Sequence, residues 1–164
     1  MLTYIALGSN IGDKLFYLQQ ARHKLRNLST DHILRQSSVY QTSPIDCLDG
    51  SPDFLNAVIA IDYAGTAEDL LAQTQLIENQ LDRTRFAINS PRTIDVDILC
   101  FGDQLLSEKK LELPHPRMHL RRFVIEPLCE IAPDLRIPGL KFTVAEYLCD
   151  LKATQRIELH RKDW

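Results

Sequence analysis

The chain has 164 residues, 45% of them hydrophobic, and a formal net charge of −3. This length and apolar content predict one globular domain over residues 1–164, and the lack of a polybasic tail argues against a nucleic-acid partner. No apolar run approaches the ~20 residues of a membrane span, and no basic segment with an apolar stretch behind it opens the chain. We therefore expect a cytoplasmic protein without a membrane partner, and we expect a monomer. The four cysteines form no CxxC pair, so neither disulfides nor a zinc site is expected.

The first half of the chain predicts three strands and one helix. "LTYIALG" is typical of a short buried strand, and "GDKLFYLQQARHKLRNL" of a helix. Its apolar stripe comprises Leu15, Leu18, Ala21, Leu25 and Leu28. "HILRQSSVYQT" and "FLNAVIAIDY" each predict a strand, and the turn-rich "SPIDCLDGSPD" joins them.

The second half begins with a helix that Thr66 opens, with Asp69 three residues on as in a capping box. The loop "RTRFAINSPR" then leads to the strand "TIDVDILCFG", and two helical segments follow, in "PHPRMHLRRFVIEPLCEIAP" and "TVAEYLCDL". The order βαββαβ predicts an α/β (α+β) fold of the ferredoxin-like type, an antiparallel sheet with helices on one face plus C-terminal additions. The opposite face of the sheet would then be open to solvent or to a ligand.

Two acids alternate with apolar residues in "TIDVDIL", so Asp95 and Asp97 share one face of the predicted strand. Side chains two residues apart on a strand lie about 7 Å apart, and at an effective dielectric near 20 their repulsion is about 2 kcal/mol. A bound Mg²⁺, which takes one or two carboxylates and completes its shell with water and phosphate oxygens, would offset that repulsion. A solvated strand face balanced by neighbouring basic residues is the alternative.

Basic residues surround the acidic strand in the sequence. Arg83, Arg85 and Arg92 precede it, and Lys109, Lys110, His115, Arg117, Arg121 and Arg122 follow it. Because the arginine guanidinium pairs with phosphate bidentately, basic residues around a metal-binding acid pair favour a polyphosphate ligand. The chain has no GxxxxGK and no GxGxxG, so side chains rather than a phosphate-binding loop would hold a nucleotide.

Several other features have two interpretations. "ALGSNIGD" fits either an amide-lined helix N-terminus or a plain turn. The polar stripe of Gln75, Glu78 and Asp82 fits solvated helix surface or a site wall, and His115 between two prolines fits a turn residue or a ligand contact. Phe54 and Asn56 share one strand face, where they would serve either as core and cap or as contacts to a flat heterocycle.

Four segments resemble the 6-hydroxymethyl-7,8-dihydropterin pyrophosphokinase family of folate biosynthesis: "YIALGSNIGD", "DFLNAV", "PRTIDVDIL" and "LPHPRMHLRRFVIEPLCEIAPDL". The resemblance extends from about residue 3 to residue 138, and the acidic strand is its most specific part. One departure is the loop before the strand, where Asn89 and Ser90 replace a Trp and a Gly that are frequent in the family. The only tryptophan of this chain, Trp164, stands at its C-terminus.

The resemblance implies a role for each matching position. It assigns two Mg²⁺ ions to Asp95 and Asp97, which together with Arg83, Arg85 and Arg92 form the implied catalytic set. The implied ATP contacts are Gln75, Glu78, Arg83, Arg85, Arg92, Ile98, Lys110, Leu111, His115 and Arg121. The implied pterin pocket comprises Thr42, Ser43, Pro44, Ile45, Phe54, Asn56 and Phe123.

The implied reaction is transfer of pyrophosphate from MgATP to the hydroxymethyl oxygen of a reduced pterin, with release of AMP. Catalysis would consist mainly of positioning and charge neutralisation. Two other functions fit the fold: a polymerase-like palm acting on nucleic acid, which the net charge disfavours, and a ligand-binding regulatory module, which leaves the acid pair unexplained.

Overall fold

In a computed structural model, residues 1–30, 33–45, 50–83, 92–151 and 155–164 are described. The strands are β1 (Leu2–Ser9), β2 (Ile33–Gln36), β3 (Val39–Thr42), β4 (Phe54–Asp62), β5 (Asp95–Phe101), β6 (Leu106–Ser107), β7 (Glu112–Leu113) and β8 (Ile157–Arg161). The helices are α1 (Lys14–Leu28), α2 (Ala67–Gln80), α3 (Arg122–Ile131) and α4 (Val144–Asp150), with a 3₁₀ turn at Met118–Leu120. No helix in the described ranges is long and apolar enough to cross a membrane.

The main sheet is antiparallel, in the order β5-β1-β4-β3-β8, with β2 also paired to β4. The long central pair, β1 and β4, runs from Leu2 opposite Asp62 to Ser9 opposite Leu55. Strand β5 pairs with the other side of β1 and forms an edge of the sheet among the described residues. This arrangement confirms the predicted ferredoxin-like fold.

Helices α1 and α2 cover one face of the sheet, as predicted. The α1 stripe buries Leu18, Ala21 and Leu25, and its flanking leucines pack at the edge of the same core. In α2, the Thr66 side chain accepts from the Asp69 N–H at 3.1 Å while an Asp69 carboxylate oxygen accepts from the Thr66 N–H at 3.2 Å. The capping box therefore starts α2 where the sequence predicts it.

The opposite face of the sheet is only partly open, which corrects the expectation of a bare face. Helices α3 and α4 build a second core on it, in which Val124 and Leu128 of α3 pack with Tyr4, Val58 and Leu99 of the sheet. Because this core covers one half of the face, the space left for a ligand is confined to the other half, beside the N-terminal end of β5.

Two features of the sheet differ from the sequence expectation: an interruption at Ser37 and an additional strand formed by the C-terminal segment. The single strand predicted over residues 32–42 is two strands, because Ser37 interrupts it: its hydroxyl accepts from the Val58 N–H at 2.9 Å and donates to the Ser38 carbonyl at 2.8 Å. The C-terminal segment forms the edge strand β8, and the Trp164 indole N–H donates to the Ser37 carbonyl at 2.8 Å. The tail thus folds back, and Trp164 is buried under Arg22 rather than in the ligand space.

Candidate active site

A cleft of about 320 Å³ opens on the uncovered half of the second sheet face. Its walls come from the ends of β1, β3, β4 and β5, from α2, from the start of α3 and from the C-terminal segment. Asp95 and Asp97 lie on the cleft side of β5, while Val96 and Ile98 contribute to the core under α1 and α2. The alternation of the acidic strand therefore separates its charged residues from its apolar residues as predicted.

Asp95 is held by two arginines. Its Oδ1 lies 2.7 Å from Arg83 Nη1, and its Oδ2 accepts from Arg92 Nη1 at 3.0 Å. The sequence left two interpretations of the acid pair: a metal site, or acids balanced by neighbouring basic groups. In this structure the second interpretation describes Asp95. Among the described residues, none forms a hydrogen bond or ion pair with the Asp97 carboxylate.

The environment of Asp97 disfavours its charged form. Burial, together with the carboxylates of Asp95 and Glu78, raises the pKa of Asp97 to about 7, against the opposing effect of Arg121 and Arg83. A hard divalent cation beside the two aspartates would favour their ionised forms, so the donor set fits Mg²⁺. In the described part of the chain, no three His, Cys, Asp or Glu side chains are arranged to hold a metal alone. Phosphate oxygens and water would have to complete the shell.

Glu78 connects helix α2 to the acidic strand. Its side chain is only 4% exposed, and its Oε1 accepts from the Val96 N–H at 2.8 Å. The same oxygen accepts from Arg83, whose guanidinium also contacts Asp95. The solvated-surface interpretation of this helix stripe is therefore wrong for Glu78, although Gln75 and Asp82 are exposed. Glu78 thus holds both the edge strand and the guanidinium of Arg83, which lines the cleft.

His115 reaches the cleft from the loop after β7. Burial and the neighbouring Arg121 lower the pKa of His115 to about 4, so the ring is neutral at pH 7. Its Nδ1 accepts from the Arg117 N–H at 3.2 Å. This contact favours the neutral tautomer with the proton on Nε2, in which His115 is a hydrogen-bond donor at that atom.

The other wall of the cleft suits a flat ring. Phe54 on β4 and Phe123 on α3 both line it, and Asn56 donates from Nδ2 to the Thr42 hydroxyl at 2.7 Å, so the amide is oriented before any ligand arrives. Gly8 forms the floor: a methyl group there would lie 3.1 Å from Asn56 Oδ1 and 3.9 Å from the Phe54 ring. The floor is therefore open only because residue 8 has no side chain.

Arg92 is placed by the turn after β1. Asn10, which is 2% exposed, accepts at Oδ1 from the Arg92 N–H at 2.7 Å and donates its own N–H to the Arg92 carbonyl at 3.2 Å. The guanidinium of Arg92 lies 5.9 Å from the centre of the Phe54 ring. Of the two interpretations of "ALGSNIGD", the structure therefore favours a turn with a defined task, namely to position Arg92 between the two walls.

The structure brings most of the predicted site residues to this cleft. Those that line it are Thr42, Ser43, Ile45, Phe54, Asn56, Gln75, Glu78, Arg83, Arg92, Asp95, Asp97, His115, Arg121 and Phe123. Four others do not line it. Ile98 lies in the core under α1 and α2, Leu111 packs beside that core, Lys110 is exposed, and Pro44 is half-buried next to the lining residues.

Some site residues lie outside the described ranges, and some escaped the sequence interpretation. Arg85 is outside the described residues, so its predicted role stays a prediction, and Asn89 and Ser90, the two departures from the family, are outside them as well. Gly8 and Gln155 line the cleft without having been singled out. A glycine directly before the "SN" turn was a signal for Gly8, whereas nothing in the local sequence marks Gln155.

One wall of the cleft combines acids and arginines, a set that suits a metal-bound polyphosphate, and the other combines two aromatic rings with an oriented amide. On a ferredoxin-like sheet, these walls fit a class: enzymes that transfer phosphoryl groups from a nucleotide to a ring-containing acceptor. The family model described as 7,8-dihydro-6-hydroxymethylpterin-pyrophosphokinase (HPPK) matches residues 4–133, and the chain belongs to this family. Its members are diphosphotransferases that move the pyrophosphoryl group of ATP onto hydroxymethyldihydropterin in folate synthesis.

Individual relatives agree with this assignment. The 2-amino-4-hydroxy-6-hydroxymethyldihydropteridine pyrophosphokinase of Haemophilus influenzae is 41% identical over 136 residues, covering 83% of this chain and 84% of the relative. The enzyme of the same name from Bacillus subtilis is 44% identical over 130 residues, covering 79% and 77%.

The fold is shared with solved structures. The wild-type Plasmodium falciparum HPPK-DHPS crystallised with pteroate superposes with a TM-score of 0.74 at 15% identity, over 91% of this chain. The present chain spans 44% of that longer chain, so the comparison concerns the fold of one part of it.

Proposed function

We propose that the cleft is the active site at which the pyrophosphoryl group of ATP is transferred to the hydroxymethyl oxygen of 6-hydroxymethyl-7,8-dihydropterin, with AMP as the other product. The observation that carries this proposal is the juxtaposition, in a single cleft, of a polyphosphate wall and a heterocycle wall. An acceptor whose ring lies between Phe54 and Phe123 presents its hydroxymethyl group to the charged wall.

Asp95 and Asp97 are proposed to hold two Mg²⁺ ions together with the phosphate oxygens. Bound there, the ions would supply positive charge that neutralises the phosphate oxygens. Asp95 contacts Arg83 and Arg92, and where the carboxylate turned to a metal these contacts would loosen. A guanidinium released in this way would be available to phosphate oxygens.

The remaining basic groups are proposed to grip the nucleotide. Arg121 and His115 line the cleft and carry N–H groups that suit phosphate oxygens, while Gln75 offers an amide at the α2 side. Arg85 and Lys110 are proposed to join them when the nucleotide is bound. Ile98 and Leu111 have their side chains in or beside the core, so they would contact the nucleotide only through main-chain atoms or the outer edge of the hairpin.

The heterocycle is proposed to be recognised by the wall opposite. Phe54 and Phe123 provide stacking surfaces. The Asn56 amide, oriented by Thr42, would form hydrogen bonds with polar atoms at the ring edge. The segment Thr42–Ile45, including Ser43 and Pro44, closes the side of this pocket.

Bond changes in the proposed reaction are confined to the β-phosphorus. The acceptor oxygen forms a bond to it, the bond from this phosphorus to the oxygen bridging to the α-phosphate breaks, and that electron pair leaves with AMP. The hydroxyl proton is released to solvent in the net reaction. The two arginines that contact Asp95 would stabilise charge as it shifts to the leaving oxygen.

Product analysis tests this proposal. ATP labelled at the β-phosphorus is turned over with the pterin alcohol and Mg²⁺, and the products are separated by chromatography. Label on the pterin together with unlabelled AMP is expected; label in ADP, or in pyrophosphate without consumption of the alcohol, would reject it. Asp97→Asn should remove turnover, whereas Asp103→Asn, an exposed acid in the turn after β5, is the matched control and should not.

We also propose that the enzyme acts as a cytoplasmic monomer without a nucleic-acid or membrane partner. Sedimentation velocity at micromolar concentration tests the monomer: a species of 18.8 kDa is expected. A dimer that persists on dilution would reject it.

A further inference from the structure

The C-terminal segment, which lies beyond the family-matched residues 4–133, supplies part of the heterocycle wall. Gln155 stands just before β8, is 6% exposed and donates from Nε2 to the Ser43 carbonyl at 2.8 Å. The adjacent main chain completes the contact, since the Ser43 N–H donates to the Arg156 carbonyl at 3.1 Å. Both main-chain groups of Ser43 are therefore held by two consecutive residues of the tail.

The Gln155 amide contributes little net stability to the fold. Its Oε1 is buried and has no hydrogen-bond partner among the described residues. A buried acceptor without a partner costs about as much as one hydrogen bond contributes, so the amide as a whole is close to neutral for stability. The amide therefore points to a task at the cleft, where Gln155 is one of the lining residues.

Ser43 lies at the centre of the wall that Gln155 supports. On one side, Thr42 is buried and its hydroxyl accepts from the Asn56 amide at 2.7 Å. On the other side, Pro44 has a fixed φ and restricts Ser43 to extended conformations. The orientation of the Ser43 peptide thus sets where Thr42 and Ile45 stand relative to each other across the pocket.

We propose that Gln155 is a positioning residue for the acceptor substrate: by holding the Ser43 carbonyl, it fixes the Thr42–Ile45 wall in the shape that a flat, amide-bearing heterocycle requires. This inference rests on the proposed function of the cleft. It predicts an effect on the heterocycle and not on the nucleotide, because the Gln155 contact lies in the wall opposite the acids. The contact acts before catalysis, so it governs affinity more than turnover.

Gln155→Met tests the inference, because methionine keeps the length of the side chain and removes both polar atoms. Strand β8 remains attached by its main-chain bonds to β3, which the substitution does not touch. His160→Met introduces the same residue at an exposed position of β8 and serves as the matched control. Each protein is titrated with the pterin alcohol by intrinsic or ligand fluorescence, and kcat and both KM values are measured with thermal unfolding alongside.

The expected result for Gln155→Met is a rise of roughly tenfold in the Kd and KM of the pterin alcohol, because the Thr42–Ile45 wall is then no longer held before binding and must be ordered when the ligand binds. The KM of ATP, kcat and the thermal midpoint should stay near the wild-type values, and His160→Met should match the wild type throughout. Unchanged pterin affinity in Gln155→Met would overturn the inference. So would a parallel loss of ATP affinity, pterin affinity and thermal midpoint, which indicates a merely structural role. A wild-type protein that neither binds the pterin alcohol nor consumes it with MgATP would instead reject the proposed function itself.

Discussion

Replacement of Glu78 by alanine and by glutamine separates its contacts with the Val96 N–H and with Arg83. Alanine removes both: the Val96 N–H loses the Glu78 acceptor, and within the described part of the chain Arg83 keeps Asp95 as its carboxylate partner. A buried donor left without a partner costs about 1–3 kcal/mol, and loss of one of two charged contacts to a largely buried arginine adds roughly 1 kcal/mol more. Glutamine retains an oxygen for Val96 and gives up only the charge. We expect losses in the free energy of unfolding of about 3 kcal/mol for Glu78→Ala and about 1 kcal/mol for Glu78→Gln.

Urea unfolding followed by far-UV circular dichroism measures these losses. Glu68→Ala is the matched control, because Glu68 is exposed in the first turn of the same helix and contributes at most the ~0.3–1 kcal/mol of a helix-dipole interaction. Equal destabilisation of the alanine and glutamine variants would show that the Val96 hydrogen bond is not what Glu78 contributes. It would refute the argument that this side chain anchors the acidic strand.

Two further predictions concern the floor and the rim of the cleft. Gly8→Ala places a methyl group 3.1 Å from Asn56 Oδ1. Because the Asn56 amide is fixed by its bond to Thr42, we expect pterin affinity to fall at least tenfold while ATP affinity is retained. Equal pterin affinities of the variant and the wild type in a fluorescence titration would contradict this. His115 titrates near pH 4 when folded and near 6.5 as a free side chain, so its neutral form stabilises the protein above pH 6.5 and the stabilisation is lost as the pH falls towards 4. His115→Gln, which cannot take up the proton, should show a smaller drop in thermal midpoint between pH 7 and pH 4.5, and an identical drop would place the pH sensitivity elsewhere.

Local sequence rules suffice for the elements that local interactions build. The capping box at Thr66 and Asp69 starts α2, and the apolar spacing of α1 identifies the residues it buries. The alternation in "TIDVDIL" correctly predicts that Asp95 and Asp97 point away from the helical core. These features depend on residues one to four positions apart, which a sequence displays directly.

Contacts between segments far apart in the sequence could not be predicted from such local patterns. Glu78 looked like solvated helix surface because its partner, the Val96 N–H, is 18 residues away and is a main-chain group. Gln155 meets Ser43 at a separation of 112 residues, and no pattern around either residue indicates the pairing. The interruption between β2 and β3 likewise depends on the Ser37 hydroxyl, which accepts from the Val58 N–H where a main-chain carbonyl of a continuous strand would do so. In each case a side chain or tail satisfies the main chain of another segment.

A single irregularity in β5 explains how one face of the sheet serves both a core and a site. The partners of β1 shift between Ile98 and Cys100, so Leu99 is an extra residue in the strand, and both Leu99 and Cys100 turn to the core under α3. In a regular ladder the main-chain groups of Val96 and Ile98 face outward and those of Leu99 face β1. The bulge instead turns the Leu99 carbonyl outward, where it accepts from the His115 N–H at 2.9 Å. The same residue therefore ends the acidic half of the strand, begins the apolar half and fastens the histidine loop to the rim of the cleft.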